Sequence, residues 1–141
     1  MQQTLGQPMF AMMLLTLVVW IYMYVRRISF LNTLDLEPDE ITPAKLEELS
    51  PPAVANPSDN LKNLFEMPVL FYAVVLFLLI TGAGSGLDVV AAWVFVGFRA
   101  LHSAVHCTVN IVMLRFWLYC AATLALFFMI VRAAAAHLTA G

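Results

Sequence analysis

Charge is scarce in this sequence. Only seven Lys or Arg and nine Asp or Glu occur among 141 residues, while 62% of the residues are hydrophobic and the mean hydropathy is +0.88. A soluble domain carries charge on about a quarter of its residues, so this composition indicates a membrane protein. The length allows one domain, residues 1–141. The net charge of −2 and the lack of a basic run argue against nucleic acid as a partner.

Cysteine is also scarce. Cys107 and Cys120 lie in apolar segments and lack the CxxC spacing typical of metal or redox sites. A buried free thiol is the favoured interpretation of each, and a disulfide or a redox role is the alternative. The two cysteines therefore do not indicate a compartment.

Long apolar segments are what the chain has instead. In the first, residues 8–25, eighteen uncharged residues precede Arg26 and Arg27, and as a helix they rise about 27 Å, close to the thickness of a hydrocarbon core. A cleaved signal peptide is the alternative, but the segment has no positive n-region and no small-residue cleavage site. We predict an all-α integral membrane protein, a bundle of four transmembrane helices that run alternately up and down. The predicted helices cover about residues 8–27, 61–81, 88–110 and 114–134.

The segment between the first two helices, about residues 28–60, differs in composition. It holds five of the seven prolines and most of the acidic residues, which is typical of an aqueous loop. Within it, Thr42 followed by Pro43 predicts the start of a short helix. The loop is long for a helix connection, which suggests that it covers something at the membrane surface.

Lys and Arg are distributed unequally between the two sides of the predicted bundle. One side has only Arg132. The other has five such residues, Arg26, Arg27, Lys45, Lys62 and Arg115. The positive-inside rule therefore places residues 28–60 in the cytoplasm and both termini outside. The short, loop-poor form fits a bacterial inner membrane.

The third predicted helix carries a polar stripe. Arg99, His102, His106 and Asn110 are separated by three, four and four positions, which places them on one helical face. Ionisable groups inside a membrane face the bundle interior or a wet cavity and need partners. His102 and His106 also have a spacing that could hold a metal, but only Glu66 is available as a further ligand, so we predict no metal site.

The second and fourth predicted helices repeat this pattern. Asn63 and Glu66 lie three apart, with Lys62 four positions before Glu66, and Arg115 and Tyr119 are four apart. We predict an ion pair between Glu66 and Arg99, which could also serve only to fix helix register. Tyr119 could be only an interfacial aromatic residue, and Asn63 could bond to its own helix backbone.

Residues 63–73 and 98–119 together resemble the MAPEG family, membrane-associated proteins in eicosanoid and glutathione metabolism. The matching features are Asn-x-x-Glu before a proline, then Arg-x-x-His, then an arginine and a tyrosine four apart. The resemblance implies a homotrimer in the lipid bilayer that takes glutathione as co-substrate, bound between subunits near the cytoplasmic side, and that acts on a lipophilic small molecule.

The resemblance also implies roles for individual residues. Arg115 would stabilise the glutathione thiolate, and Tyr119 would act beside it as the second catalytic residue. Asn63, Glu66 and His102 would contact glutathione, and Arg99 would pair with Glu66 to hold the wall of the site. We add His106 and Lys62 to the predicted glutathione-binding residues, although the family pattern does not include them.

Three positions depart from the family pattern. His106 stands where eicosanoid enzymes have a tyrosine, Asp59 where an arginine is frequent, and Phe116 where some members have a small polar residue. Two functions therefore stay open. One is a glutathione-dependent transferase or peroxidase acting on lipophilic electrophiles, and the other is a non-catalytic lipid-binding or scaffold protein of the same family.

Cysteine-accessibility labelling tests the predicted orientation. A cysteine placed at Ser50 should react with an impermeant reagent from the cytoplasm, and one placed at Ser85 from the other side, because the Lys and Arg bias puts residues 28–60 inside. The reverse pattern would contradict the orientation and would separate the site from cytosolic glutathione.

Overall fold

The computed structural model describes residues 2–139, and the side chains of residues 4–139. The predicted domain, residues 1–141, thus extends slightly beyond the described residues at both ends. Within the described range the chain forms helices and turns and no strand. Besides a single 3-10 turn at Pro38–Glu40, the helices are α1 (Gln2–Leu31), α2 (Pro43–Leu49), α3 (Pro52–Asn63), α4 (Met67–Thr81), α5 (Gly86–Cys107) and α6 (Val112–Thr139).

Four crossings of a membrane are possible within residues 2–139. They are Thr4–Leu31, Pro52–Thr81, Gly86–Cys107 and Val112–Thr139, each long and apolar enough to span. The second crossing consists of α3 and α4 in succession. The prediction of an all-α membrane protein with four spanning helices is confirmed.

The predicted loop, residues 28–60, is only partly a loop. Thr42 caps α2 as expected, because its hydroxyl accepts a hydrogen bond from the backbone N–H of Lys45 at 3.2 Å. The last part of the predicted loop, residues 52–60, is wrong, since α3 already begins at Pro52. Proline is compatible with the first turn of a helix, and the polar composition of this segment concealed the helix start.

Proline also explains how α1 and α3 are joined. Pro57 lies inside α3 and has no N–H, so the carbonyl of Ala53 loses its regular helical donor. Arg26 Nε donates to that carbonyl at 3.3 Å, and Arg27 Nη2 donates to Ser58 Oγ at 3.0 Å. The helix α1 does not end at its two arginines, as we expected, but continues to Leu31.

The bundle core is apolar and lies at the contacts of all four crossings. Phe71 of α4 stacks on Phe95 of α5 with ring centroids 4.5 Å apart, and Met12 of α1 and Leu126 of α6 are fully buried. Many large apolar side chains on the outer faces are exposed, as expected for helices that face lipid or other helices in a membrane.

A polar cluster closes the end of the bundle opposite to α2. Asp88, 1% exposed, accepts hydrogen bonds from the backbone N–H and the hydroxyl of Ser85 at 2.8 and 2.6 Å, which caps the start of α5. Arg132 of α6 forms an ion pair with Asp88 at 3.1 Å and donates to Ser85 Oγ at 2.8 Å. The cluster therefore fastens α6 to the first turn of α5.

We expect Asp88→Ala to destabilise the fold by about 3 kcal/mol, because it removes the cap and leaves Arg132 without its buried partner. Asp59→Ala is the matched control. Its ion pair with Lys62, at 3.1 Å, is exposed on both sides and should contribute less than about 1 kcal/mol. Unfolding of the purified protein in detergent measures both effects. Equal losses in the free energy of unfolding would contradict the importance of the Asp88–Arg132 pair.

Candidate functional site

The site begins at a break in the second membrane crossing. Residues 64–66 separate α3 from α4, and Pro68, which has no N–H to donate, is the second residue of α4. The break deprives the carbonyl of Asn63 of a regular helical donor, leaving a long bond from the N–H of Glu66 at 3.4 Å. A backbone acceptor is thus available inside the membrane-spanning part of the chain.

Arg99 of α5 uses this acceptor. It is 1% exposed, and its Nη2 donates to the Asn63 carbonyl oxygen at 3.0 Å. The predicted ion pair between Glu66 and Arg99 is wrong for the single chain, because the two ion pairs within residues 4–139 are Lys62–Asp59 and Arg132–Asp88. Glu66 lies at the break with its side chain exposed, so the released carbonyl replaces it as the partner of the guanidinium.

The two histidines of the stripe lie beside Arg99. His102 and His106 are both 3% exposed, and their rings meet edge to face with centroids 5.5 Å apart. The side-chain nitrogens Arg99 Nε, Arg99 Nη1, His102 Nδ1 and His106 Nδ1 are buried without a hydrogen-bond partner among the described residues. Buried polar atoms of this kind cost about 1–3 kcal/mol each, so this arrangement does not serve stability alone.

Tyr119 of α6 packs against this buried group. The guanidinium carbon of Arg99 lies 5.6 Å from the centre of the Tyr119 ring, at cation–π distance, and the His102 ring is 6.1 Å away. The hydroxyl of Tyr119 has no hydrogen-bond partner within residues 4–139, and the side chain is half-buried. The ring is thus held in place while the hydroxyl is available to a ligand.

Arg115 forms no hydrogen bond with the buried group of Arg99, His102 and His106 (the Arg99 group) within residues 4–139, but it lies close enough to both histidines for its charge to act on them. Its Nη1 donates to Asn110 Oδ1 at 2.6 Å, and Asn110 Nδ2 donates to Asn56 Oδ1 of α3 at 3.1 Å. Asn110 itself is not on the helical stripe, contrary to our prediction, because α5 ends at Cys107 and Asn110 adopts a left-handed conformation with φ 48°. It lies in the turn before α6.

The side chains of the remaining predicted ligands form no hydrogen bond or ion pair with the Arg99 group, although Glu66 lies close enough for its charge to act on Arg99. The ammonium group of Lys62 pairs with Asp59 at 3.1 Å, and the amide of Asn63 donates to the Asp59 carbonyl at 3.3 Å, as in its structural interpretation. Glu66 is exposed. The single chain therefore brings together Arg99, His102, His106 and Tyr119, with the backbone rather than the side chain of Asn63.

Sequence reasoning missed two polar positions on α3, one buried and one half-buried. Asn60 is completely buried, and its side chain accepts from Ser103 Oγ at 3.3 Å and donates to Cys107 Sγ at 3.6 Å. Asn56 supports Asn110 in the same way. Both asparagines precede Asn63 at helical spacing, so they would have been found if the start of α3 at Pro52 had been recognised.

The sequence model of the MAPEG family matches residues 5–135. The chain belongs to the MAPEG family. The match includes all four spanning helices up to residue 135 and every residue of the site, so the resemblance drawn from residues 63–73 and 98–119 is confirmed. No curated protein and no solved structure matches the chain significantly. Together with the four apolar helices, family membership makes it an integral membrane protein of a glutathione-related family.

Proposed function

We propose that this MAPEG protein is a glutathione-dependent transferase or peroxidase that acts on lipophilic electrophiles. Family membership supports a glutathione-related activity, and the four spanning helices support access of the second substrate through the bilayer. The observation that carries the proposal is the pair formed by Arg115 and Tyr119. They lie one turn apart on α6, both half-buried, and each keeps hydrogen-bond donors that the described residues do not use.

Arg115 is the proposed stabiliser of the nucleophile. The thiolate of glutathione, rather than the thiol, attacks an electrophile, and a nearby fixed positive charge favours it. A guanidinium stays protonated even when buried, and only Nη1 of Arg115 is bound, to Asn110. The other N–H groups can face the sulfur, and the hydroxyl of Tyr119 can donate a second hydrogen bond to it.

The chemistry needs no group beyond the two substrates and water. In the transferase reaction the thiol proton passes to water, sulfur bonds to the electrophilic carbon, and the leaving group departs with the bonding electron pair. In the peroxidase reaction two glutathione molecules are oxidised to the disulfide, while one hydroperoxide is reduced to an alcohol and water. Arg115 and Tyr119 would act on the sulfur in both.

The buried residues behind Tyr119 have a different proposed role. Arg99, His102 and His106 are too enclosed to meet a peptide-like ligand directly, so in this proposal they hold the Tyr119 ring and form the polar wall behind it. The exposed groups of Lys62 and Glu66 suit the carboxylates and the ammonium of glutathione. Within a single chain, the side chains of Lys62 and Glu66 form no hydrogen bond or ion pair with the Arg99 group.

We infer that a homotrimer completes the site. Glu66 is exposed within the crossing Pro52–Thr81, and a carboxylate on the surface of a membrane-spanning segment needs a partner. A neighbouring subunit can shield it and place its own Arg115 beside it. The small residues Ala100 and Ala104 on α5, one half-buried and one exposed, permit close approach of another helix.

Native mass spectrometry in mild detergent tests the assembly. We expect a species of three times the chain mass of 15.7 kDa. Monomer alone, under conditions in which circular dichroism shows an intact fold, would contradict the trimer.

The proposed orientation places the site on the cytoplasmic side, where glutathione is supplied. It puts both termini outside and the α1–α3 connection in the cytoplasm, in a membrane such as the bacterial inner membrane. The excess of Lys and Arg on that side supports this orientation.

The activity proposal is tested at Arg115. We expect Arg115→Ala to lower turnover by about two orders of magnitude, the usual effect of removing one preorganised electrostatic donor. The turnover of Arg115→Lys should lie between those of the wild-type protein and Arg115→Ala, because lysine keeps the charge but lacks the planar guanidinium. The measurements are conjugation of glutathione to a generic aromatic electrophile and the ultraviolet absorbance of the bound thiolate during titration.

Lys45→Ala is the control, since it removes a cation from α2 without touching the site. It should retain wild-type turnover. No turnover and no thiolate band in the wild-type protein at saturating glutathione would contradict the enzyme proposal.

The alternative is a non-catalytic lipid-binding protein. A groove of about 530 Å³ between α1 and α3 favours this function, because binding of a lipid in the groove would not require Arg115. The groove is lined largely by aromatic and apolar side chains, among them Trp20, Met23, Tyr24, Leu61 and Phe65. Binding of lipid without thiolate formation would select this function.

A further inference from the structure

The turn between α5 and α6 is built around one asparagine. Asn110 adopts a left-handed backbone conformation, φ 48°, which non-glycine residues rarely adopt but asparagine tolerates best. Its N–H donates to the carbonyl of Val105 at 2.7 Å, which closes the end of α5. The backbone of Asn110 thus has a structural role that glycine could also perform.

The side chain of Asn110 has a separate set of contacts. Its carbonyl oxygen accepts from Arg115 Nη1 at 2.6 Å, and its amide nitrogen donates to Asn56 Oδ1 on α3 at 3.1 Å. An amide can accept on one side and donate on the other only in one orientation, so the two contacts fix each other. Arg115 is thereby linked through Asn110 to a different helix.

We propose that Asn110 is a positioning residue that holds the Arg115 guanidinium in its working orientation and registers it against α3. The inference rests on the proposed function, in which Arg115 stabilises the glutathione thiolate. An arginine side chain has several freely rotating bonds and loses considerable entropy when it is fixed, so an unanchored Arg115 would spend little time facing a sulfur atom.

The chemical type of the anchor matters as well. An amide oxygen orients the guanidinium by a short hydrogen bond and carries no net charge, so the full positive charge of Arg115 is left to act on the thiolate. A carboxylate at the same place would hold the guanidinium at least as firmly and would offset its charge. Anchoring and charge can therefore be separated by mutation.

Asn110→Gly removes the amide and keeps the left-handed backbone accessible. We expect it to lower kcat on the order of tenfold, as for misplacement of a catalytic group, with little change in the Kd of glutathione. The pKa of the bound thiol should rise. Asn110→Asp keeps an acceptor for Arg115 but loses the donor to Asn56. It should also raise that pKa, because the added negative charge offsets Arg115.

Two further measurements separate positioning from folding. Thr108→Ala is the matched control, since Thr108 lies in the same turn and donates to the Ala104 carbonyl at 2.6 Å without contacting Arg115. It should keep wild-type kcat and thiolate titration. Modification of Arg115 by phenylglyoxal, located by mass spectrometry, should be faster in Asn110→Gly than in Thr108→Ala, and this readout does not require glutathione.

The outcomes distinguish the two proposals. If Arg115→Ala loses turnover while Asn110→Gly keeps the wild-type kcat, thiolate titration and phenylglyoxal rate, the positioning role is overturned and the proposed function stands. If neither the wild-type protein nor any variant forms a thiolate but Arg115 still reacts faster with phenylglyoxal in Asn110→Gly, the proposed function fails and the contact between Asn110 and Arg115 is supported. Should Asn110→Gly not fold, Asn56→Ala tests the link to α3 by freeing the Asn110 amide, and an unchanged thiolate titration and phenylglyoxal rate there would overturn the proposed registration of Arg115 against α3.

Discussion

The guanidinium of Arg99, almost fully buried among apolar helices, is the constraint on which the site depends. A charge in that position needs a hydrogen-bond acceptor, and a carbonyl already bonded within a regular helix has less capacity to serve as one. The break before Pro68 releases the carbonyl of Asn63, and Arg99 takes it. The same guanidinium then fixes the ring of Tyr119 from the other side. The division of the second crossing into α3 and α4 and the arrangement of α6 are therefore linked through one side chain.

Two interruptions of regular helical hydrogen bonding in this chain make backbone acceptors available to arginines. Pro57 leaves the Ala53 carbonyl to Arg26, and the break before Pro68 leaves the Asn63 carbonyl to Arg99. The first contact joins α1 to α3 near the membrane surface, and the second joins α3 to α5 inside the bundle. Interruptions of the helix in a membrane crossing thus act here as positions of tertiary contact.

The sequence predicted well those features that depend on local composition. The four apolar crossings and the capping role of Thr42 follow from residue type and short spacing, and the structure contains them. The features that it missed depend on interruptions of regular helix. Residue spacing placed Asn110 on the α5 stripe and paired Glu66 with Arg99, because both predictions assumed uninterrupted helices. Which group binds a buried charge is decided by such interruptions, and they are visible only when the backbone is known.

The pair formed by Asp88 and Arg132 has a consequence for how the chain enters a bilayer. Asp88 arrives 44 residues before its partner, on a helix that also carries Arg99 and two histidines. A charge near the centre of an isolated helix, as Arg99 is in α5, costs about 2.5–3.5 kcal/mol in translocon-mediated insertion, and Asp88 in the first turn adds a smaller cost, so α5 inserts poorly by itself. The following helix supplies Arg132 to one of these residues and Tyr119 to another, across a turn of a few residues. We therefore expect α5 and α6 to leave the translocon together as a helical hairpin, with commitment of α5 to the lipid phase delayed until α6 has been synthesised.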